Sequence, residues 1–252
     1  MKKAVDIDKV VELNALGFHP SEIAKQLNCT RHGVNYWITK LKLIRYGQPE
    51  NDFKINKDEE LIQFVLGTLL GDGSLLPYTN NNSNLRIEHS IKQHAYIQYK
   101  FELLEKYGLA SSLNPRTRDS PMHKSGIQES FVLNSKSHTW FTGLRDYFYG
   151  TGTKRFTIDS LQRLKPFGLA IWYMDDGYIV RNEAAAFCTE NMSGKERAIA
   201  KSVFKSNFDI DVTTPPSGII YVPKHSFLAF RNIVEPYVHS SMQYKLGCTT
   251  TQ

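Results

Sequence analysis

Apolar residues recur at helical spacing from the start of the chain: Ile7, Val10, Val11, Leu13 and Leu16, with Gly17 ending the run. Pro20 opens a second helix with Ile23, Ala24 and Leu27 on one face, and Asn28 and Cys29 make a tight connection. Thr30 then caps a third helix carrying Val34, Trp37, Ile38 and Leu41. Three short helices over 7–45 match the helix-turn-helix plan, whose last helix enters a major groove. Its outward positions are Arg31, His32, Asn35, Tyr36 and Lys40, with no acid among them. A small helical protein-contact module is the alternative, and Cys29 reads as a small buried turn residue.

Tyr46 to Asn56 is polar, holds Gly47 and Pro49, and reads as a linker. Beyond it the pattern repeats. Each half opens with an apolar helix ending in an acid and a glycine, FVLGTLLGDGSLL over 64–76 and LAIWYMDDGYIV over 169–180. Strand-like residues follow at 85–90 and 184–189, then helices at 94–107 and 193–208. Further strands are expected near 112–118 and 130–133, and near 210–214 and 218–222, and closing helices at 137–149 and 225–238. Asp72 and Asp176 stand 104 residues apart, which sets the repeat. The order αββαββα, twice, predicts an α+β fold with two antiparallel sheets behind a small all-α domain. The expected domains are residues 1–48, 57–155 and 156–252. The asparagine-rich run at 80–84 is a solvated hairpin tip or a contact to DNA backbone.

Charge sharpens the picture. The chain has 252 residues, 41% of them hydrophobic, and a net charge of +6. Residues 1–45 hold eight basic and four acidic side chains, so +4 of that sits in under a fifth of the chain. A basic end on a near-neutral body suits nucleic acid. The three cysteines, Cys29, Cys188 and Cys248, have no zinc spacing and are odd in number, so a reducing intracellular compartment is expected. Lys2 and Lys3 lead into Asp6 and Asp8 rather than an apolar stretch, and no run reaches the ~18 apolar residues of a membrane span.

A helix ending in Asp-Gly sets a carboxylate beside unpaired C-terminal carbonyls, where the helix dipole also leaves partial negative charge. Carboxylate, carbonyl and water oxygens are the ligands Mg²⁺ prefers. If two such helices pack side by side, Asp72 and Asp176 meet and can hold metal jointly. Gly67 and Gly71, four apart on one face, permit close approach, whereas Ala170 and Ile171 on the second helix make the crossing unsymmetric. Trp172, Tyr173, Phe64 and Phe187 read as core.

LGTLLGDGSL and LAIWYMDDGYI resemble the two motifs of single-chain LAGLIDADG homing endonucleases. The likeness extends through RIEHSIKQHAYIQYKFELLEKYGL (86–109) and FLAFRNIVEPYVHSSMQYKLG (227–247), over about residues 57–248; the N-terminal helices lie outside it. The resemblance implies two pseudo-symmetric repeats forming a DNA-binding saddle in the major groove. It implies Mg²⁺ ligation by Asp72 and Asp176 and by the carbonyls of Gly71 and Asp175. It also implies Lys154 and Lys245 as basic residues beside the scissile phosphates, although as bare sequence both read as solvated loop charges. Family members cut both strands across the minor groove and leave short 3′ overhangs.

The sixth motif position, often acidic, is Leu70 and Met174 here. His89 either positions water or is a satisfied strand-end histidine, and its counterpart is expected to be Cys188. Arg86, Arg116, Arg118 and Arg181, taken as outward strand residues, are candidate DNA contacts. The expected activity is Mg²⁺-dependent, site-specific cutting of double-stranded DNA by a monomer. A non-cutting regulator typically lacks the two acids that are present here; an RNA-splicing maturase stands as the alternative.

Overall fold

The computed structural model describes residues 5–15, 18, 20–41, 43, 58–77, 82–120, 126–150 and 152–247. Leu16, Gly17, the expected linker at 46–56, Asn80, Asn81 and Cys248 lie outside the described residues. The chain divides into two compact units, Met1–Asp58 with His138–Trp140, and Glu59–Ser137 with Phe141–Gln252.

In the first unit, α1 (Ile7–Ala15), α2 (Pro20–Gln26) and α3 (Arg31–Lys40) close on Val10, Ile23, Ala24, Cys29, Val34 and Ile38. Thr30 caps α3 by accepting the Gly33 N–H at 3.1 Å. Asn28 takes the left-handed conformation (φ 50°) that the sharp turn into α3 demands. Val11 departs from the expected apolar face, at 38% exposure.

The second unit begins with α4 (Glu59–Leu70), β1 (Ser74–Pro77), β2 (Ser83–Ser90), α5 (His94–Lys106), β3 (Ala110–Asp119), β4 (Ile127–Ser135) and, from Phe141 on, α6 (Thr139–Tyr149). A short α7 (Ile158–Leu161) leads to α8 (Pro166–Asp176), β5 (Gly177–Val180), β6 (Ala184–Phe187), α9 (Gly194–Phe208), β7 (Ile220–Val222) and α10 (Lys224–Val234). The order is that of an α+β fold built from a duplicated unit. Strands run antiparallel as β1-β2-β4-β3 and as β5-β6-β7.

Period-two alternation splits the first sheet cleanly. Leu85, Ile87 and His89 of β2 face inward with Leu133, and α5 packs on that side. Arg86, Glu88, Ser130, Asn134, Asn114, Arg116 and Arg118 share the opposite face by register. The second sheet is shorter. By register Tyr178, Ala186 and Tyr221 form its outer row, with Ala186 itself covered, and its inner side packs Phe187 into an aromatic core with Trp172, Tyr173, Phe204 and Phe230. Phe64, Trp172, Tyr173 and Phe187 are all core, as expected.

Two expectations are corrected. The strand expected at 210–214 is reduced to one bridge, Thr213 with Tyr221, because Pro215 and Pro216 follow at once and offer no N–H to a ladder. Arg181 is not a strand residue. With Asn182 and Glu183 it forms the three-residue β5–β6 turn, in which Arg181 and Asn182 are both in the left-handed region (φ 52° and 59°).

Candidate active site

The two motif helices pack against each other through missing side chains. A Cβ on Gly67 would lie 2.3 Å from the Gly168 carbonyl oxygen and 2.8 Å from Ile171, and one on Gly71 would lie 2.4 Å from the Asp175 Cβ. Gly168 therefore answers Gly67, a pairing the sequence reading did not include, with Ile171 beside it. At the far ends Gln63 stitches α4 to the start of α8, donating to the Arg163 carbonyl at 2.7 Å and accepting the Lys165 N–H at 2.8 Å.

This crossing brings the two helix ends together. Asp72 lies in the turn after α4, half-exposed, and Asp176 is the last residue of α8. Burial, then the charges of Asp72 and Asp175, push the Asp176 carboxyl up to about 7. Asp72 moves the other way. Burial raises it, but a hydrogen bond from His89 and the charges of His89, Lys100 and Lys245 together hold it below the usual range. Crowded carboxylates suit a hard divalent cation, which would relieve the repulsion at Asp176.

Lys154 and Lys245 are not solvated loop charges. Lys154 Nζ donates to the carbonyls of Leu69 (2.7 Å) and Gly73 (2.9 Å), closing the end of α4. Lys245 Nζ donates to those of Met174 (2.6 Å) and Asp175 (3.0 Å), closing the end of α8. Each ammonium satisfies orphan carbonyls of one motif helix and keeps a third N–H free for another acceptor. Burial lowers the pKa of both, against the pull of the neighbouring aspartates.

A second layer lies behind Asp72. His89, with a side chain only 1% exposed, brings Nδ1 to 3.2 Å from Asp72 Oδ2, and its Nε2 stands 3.8 Å from Asp175 Oδ1 without a hydrogen-bond partner. Nδ1 must carry the proton to face that carboxylate. The Asp175 side chain is buried and fully engaged. Lys100 Nζ reaches Oδ1 at 2.6 Å and Oδ2 at 2.8 Å, Tyr96 donates its hydroxyl to Oδ1 at 2.8 Å, and the Asp72 N–H donates to Oδ2 at 3.3 Å. Asp72, His89 and Asp175 offer ligand atoms within 4.8 Å of one another, yet Lys100 already neutralises Asp175, so that carboxylate has no uncompensated charge to offer a cation.

Tyr96 and Lys100 are absent from the sequence-based candidates. Lys100 had a signal: it falls on the stripe of Tyr96, Ile97, Leu103 and Leu104, the buried face of α5. The expected counterpart of His89 is also corrected. Ser74 pairs with Arg86 and its motif equivalent Tyr178 pairs with Ala186, so His89 corresponds to Thr189 and Glu88 to Cys188. Thr189 is spent on the Gly218 carbonyl at 2.7 Å.

On the outer face of the first sheet Glu88 gathers three guanidiniums, Arg86 at 3.3 Å, Arg116 at 3.1 Å and Arg118 at 3.7 Å, and accepts from Ser130 at 2.8 Å. On α3, Arg31, His32, Tyr36 and Lys40 are exposed and Asn35 is half-buried, with Lys40 lying over the rings of Trp37 and Tyr36 at 4.8 and 5.5 Å. No helix among the described residues is long and apolar enough to cross a membrane.

Residues 62–227 match the LAGLIDADG DNA endonuclease family. The chain is 28% identical over 207 residues to the "Protein RecA" of Mycobacterium shimoidei, covering 75% of this chain and 46% of that protein. It thus spans about half the length of that relative. It is 24% identical over 239 residues to the cytochrome b mRNA maturase bI2 of Debaryomyces hansenii, covering 90% and 91% of the two chains. The structure titled "The homing endonuclease I-WcaI bound to its DNA recognition sequence" shares the fold at a TM-score of 0.66 and 22% identity, over 82% of this chain and 96% of that one. The chain belongs to the LAGLIDADG DNA endonuclease family.

Proposed function

We propose, from that membership and from the paired helix ends, that the protein is a monomeric, site-specific double-strand DNA endonuclease that hydrolyses phosphodiester bonds with Mg²⁺. The observation that carries it is the convergence of Asp72 and Asp176 at the ends of two packed helices, each end closed by a lysine ammonium.

Asp72, Asp176 and the carbonyls of Gly71 and Asp175 would hold the ion. When bound it supplies Lewis acidity toward the phosphate and lowers the pKa of water. Lys154 and Lys245, each with one N–H to spare, hold a phosphate oxygen in place and offset its charge. The arginine-bearing face of the first sheet and the tyrosine row of the second meet the major groove, where base identity is readable. Arg181 reaches phosphate from its turn, and α3 adds contacts through Arg31, His32, Asn35, Tyr36 and Lys40.

The test is incubation of the purified protein with a library of duplex DNA and Mg²⁺, then sequencing of the ends produced. One long, non-palindromic site, with all cutting stopped by EDTA, is expected; cutting undiminished by EDTA would sink the metal role. A second activity, RNA splicing, is favoured by the likeness to the Debaryomyces maturase over nine tenths of both chains. An intron-containing transcript that the protein splices, with no DNA site found, would put that reading first.

A further inference from the structure

The two repeats share a register that makes one feature conspicuously one-sided. Motif positions correspond at a spacing of 104, so Asp175 is the equivalent of Gly71. From the strand pairing onward, Arg86 corresponds to Ala186, and the same spacing aligns the buried positions of α5 and α9: Tyr96 with Glu196, Lys100 with Ala200, Leu103 with Val203, Leu104 with Phe204. Asp175 thus crosses from the second repeat to grip Lys100 of the first. The equivalent pair on the other side is Gly71 and Ala200, with no side-chain charge to exchange.

We propose that Lys100 is a positioning residue for one of the two cutting sites, acting on Asp72 through Asp175, and that the two strands are therefore cut under unequal control. The inference rests on the nuclease reading above. Its geometry is a short chain. Lys100 fixes both oxygens of Asp175, and Asp175 Oδ2 accepts the Asp72 N–H. His89, beside Asp175, holds the Asp72 carboxylate by Nδ1. Backbone and side chain of Asp72 are thus both set from behind, by groups that neither water nor substrate reaches. Gly71 is part of the device, since any Cβ there would displace the Asp175 side chain. Among the described residues Asp176 has no such backing: where the first repeat has His89 and Lys100, the second has Thr189, committed to Gly218, and Ala200.

The test compares Lys100→Met, Asp175→Ala with Lys100→Gln, Asp175→Asn. The first removes both charges together and so leaves no lone buried ion to unfold the protein; it also removes the acceptor for the Asp72 N–H. The second keeps a neutral acceptor in place. Single-turnover cutting of each strand of a labelled target is followed, and amide hydrogen exchange is measured at 71–75 and 175–179 without metal or DNA.

The Met/Ala variant should slow the strand served by Asp72 roughly 10–100-fold, the usual cost of losing a group that orients a ligand, with the other strand nearly unchanged. Exchange should quicken at 71–75 only, and the Gln/Asn variant should restore both readings. Equal slowing of both strands, or unchanged exchange at 71–75 in a folded Met/Ala variant, overturns the proposal. Absence of any cutting by the parent protein overturns the nuclease reading instead, and the exchange measurement then decides on the lock alone.

Discussion

The first repeat aims a buried charged network at its helix end, whereas the second has small side chains, or polar ones committed elsewhere, at the equivalent positions. Behind Asp72 stand His89, Lys100, Tyr96 and the incoming Asp175 side chain; at the equivalent positions of the second repeat stand Thr189, Ala200, Glu196 and Gly71. The sheets differ likewise, with Arg86, Glu88, Arg116 and Arg118 outward on one and Tyr178, Ala186 and Tyr221 on the other. What the repeats share is narrower: an acid at the helix end, a glycine contact, and a lysine capping the terminal carbonyls. These shared parts make the central crossing. The surroundings are free to diverge because each meets a different partner surface.

The largest effect should come from removing what the repeats share. Asp72→Asn with Asp176→Asn should lower cutting by about 10³-fold or more, since a metal site contributes several kcal/mol of transition-state stabilisation. DNA binding, read by gel shift, should persist. The single variants then probe the asymmetry: Asp72→Asn and Asp176→Asn should leave different strands nicked, at unequal rates. Undiminished cutting by the double variant would remove these residues from the site.

The crossing itself is tested by Gly67→Ala. Its Cβ would meet a backbone carbonyl at 2.3 Å rather than a yielding side chain, so a loss of about 3 kcal/mol, the upper end for overpacking, is expected. Gly143→Ala, on α6 with nothing within 4 Å, should instead stabilise by roughly 0.4–1 kcal/mol. A urea midpoint raised by Gly67→Ala, as by Gly143→Ala, would show that the helices are not in close contact at Gly67.

The shared parts were legible in the sequence and the unshared ones largely were not. Asp-Gly at the end of an apolar run, twice at a fixed spacing, is a local pattern, and so are the Thr30 cap and the glycines at 67 and 71. Lys100 was only half-legible. Its place on the buried stripe of α5 marks it as unusual, but its partner is 75 residues away and on the other repeat. His89 was visible and its counterpart misassigned, because strand register depends on pairing partners rather than on spacing along the chain. Arg181 looked like a strand residue because the hairpin turn it occupies carries no glycine. The strand expected at 210–214 has the right composition, and only the two prolines after it limit the ladder to one bridge.

The two acids should also respond oppositely to pH in the metal-free protein. Folding raises the Asp176 carboxyl from 3.8 to about 7, so the folded state holds that proton more tightly. Its contribution to stability is complete below the unfolded value and is lost as pH rises through about 7. Asp72 is lowered instead, so its contribution is present above its unfolded value of 3.8 and is lost as pH falls through its lower folded value. Urea unfolding at about pH 5 and about pH 8 should therefore show a fall attributable to Asp176, of about 2 kcal/mol at most once solvent access is allowed for. Asp176→Asn should flatten that slope, and Asp72→Asn should only reduce it, because the Asp72 charge is one of the causes that hold the Asp176 carboxyl up. An unchanged slope in Asp176→Asn would mean that the two ends are electrostatically alike.

The smallest effect should be the most informative about recognition. On the first sheet Glu88 already engages three arginines, so loss of one guanidinium should cost only about 1 kcal/mol, the low end for a contact that discriminates a base. Arg116→Ala should therefore weaken binding roughly fivefold to tenfold and relax base preference over one half of the target only. Tyr221→Ala, on the uncharged second sheet, should leave the salt dependence of binding unchanged and act on the other half. Glu88→Gln separates the two ways in which the arginine face could work. Without the carboxylate, three positive side chains are released from their common anchor, so general affinity for DNA should rise and its salt dependence steepen. Discrimination should fall at the same time, because guanidiniums no longer held in place read phosphate as readily as base edges. Selection of cut sites from a randomised library, compared between Glu88→Gln and Arg116→Ala, tells the two apart. If both variants lose affinity with base preference intact, the first sheet contributes charge rather than sequence reading, and the two sheets differ only in how strongly they hold the duplex.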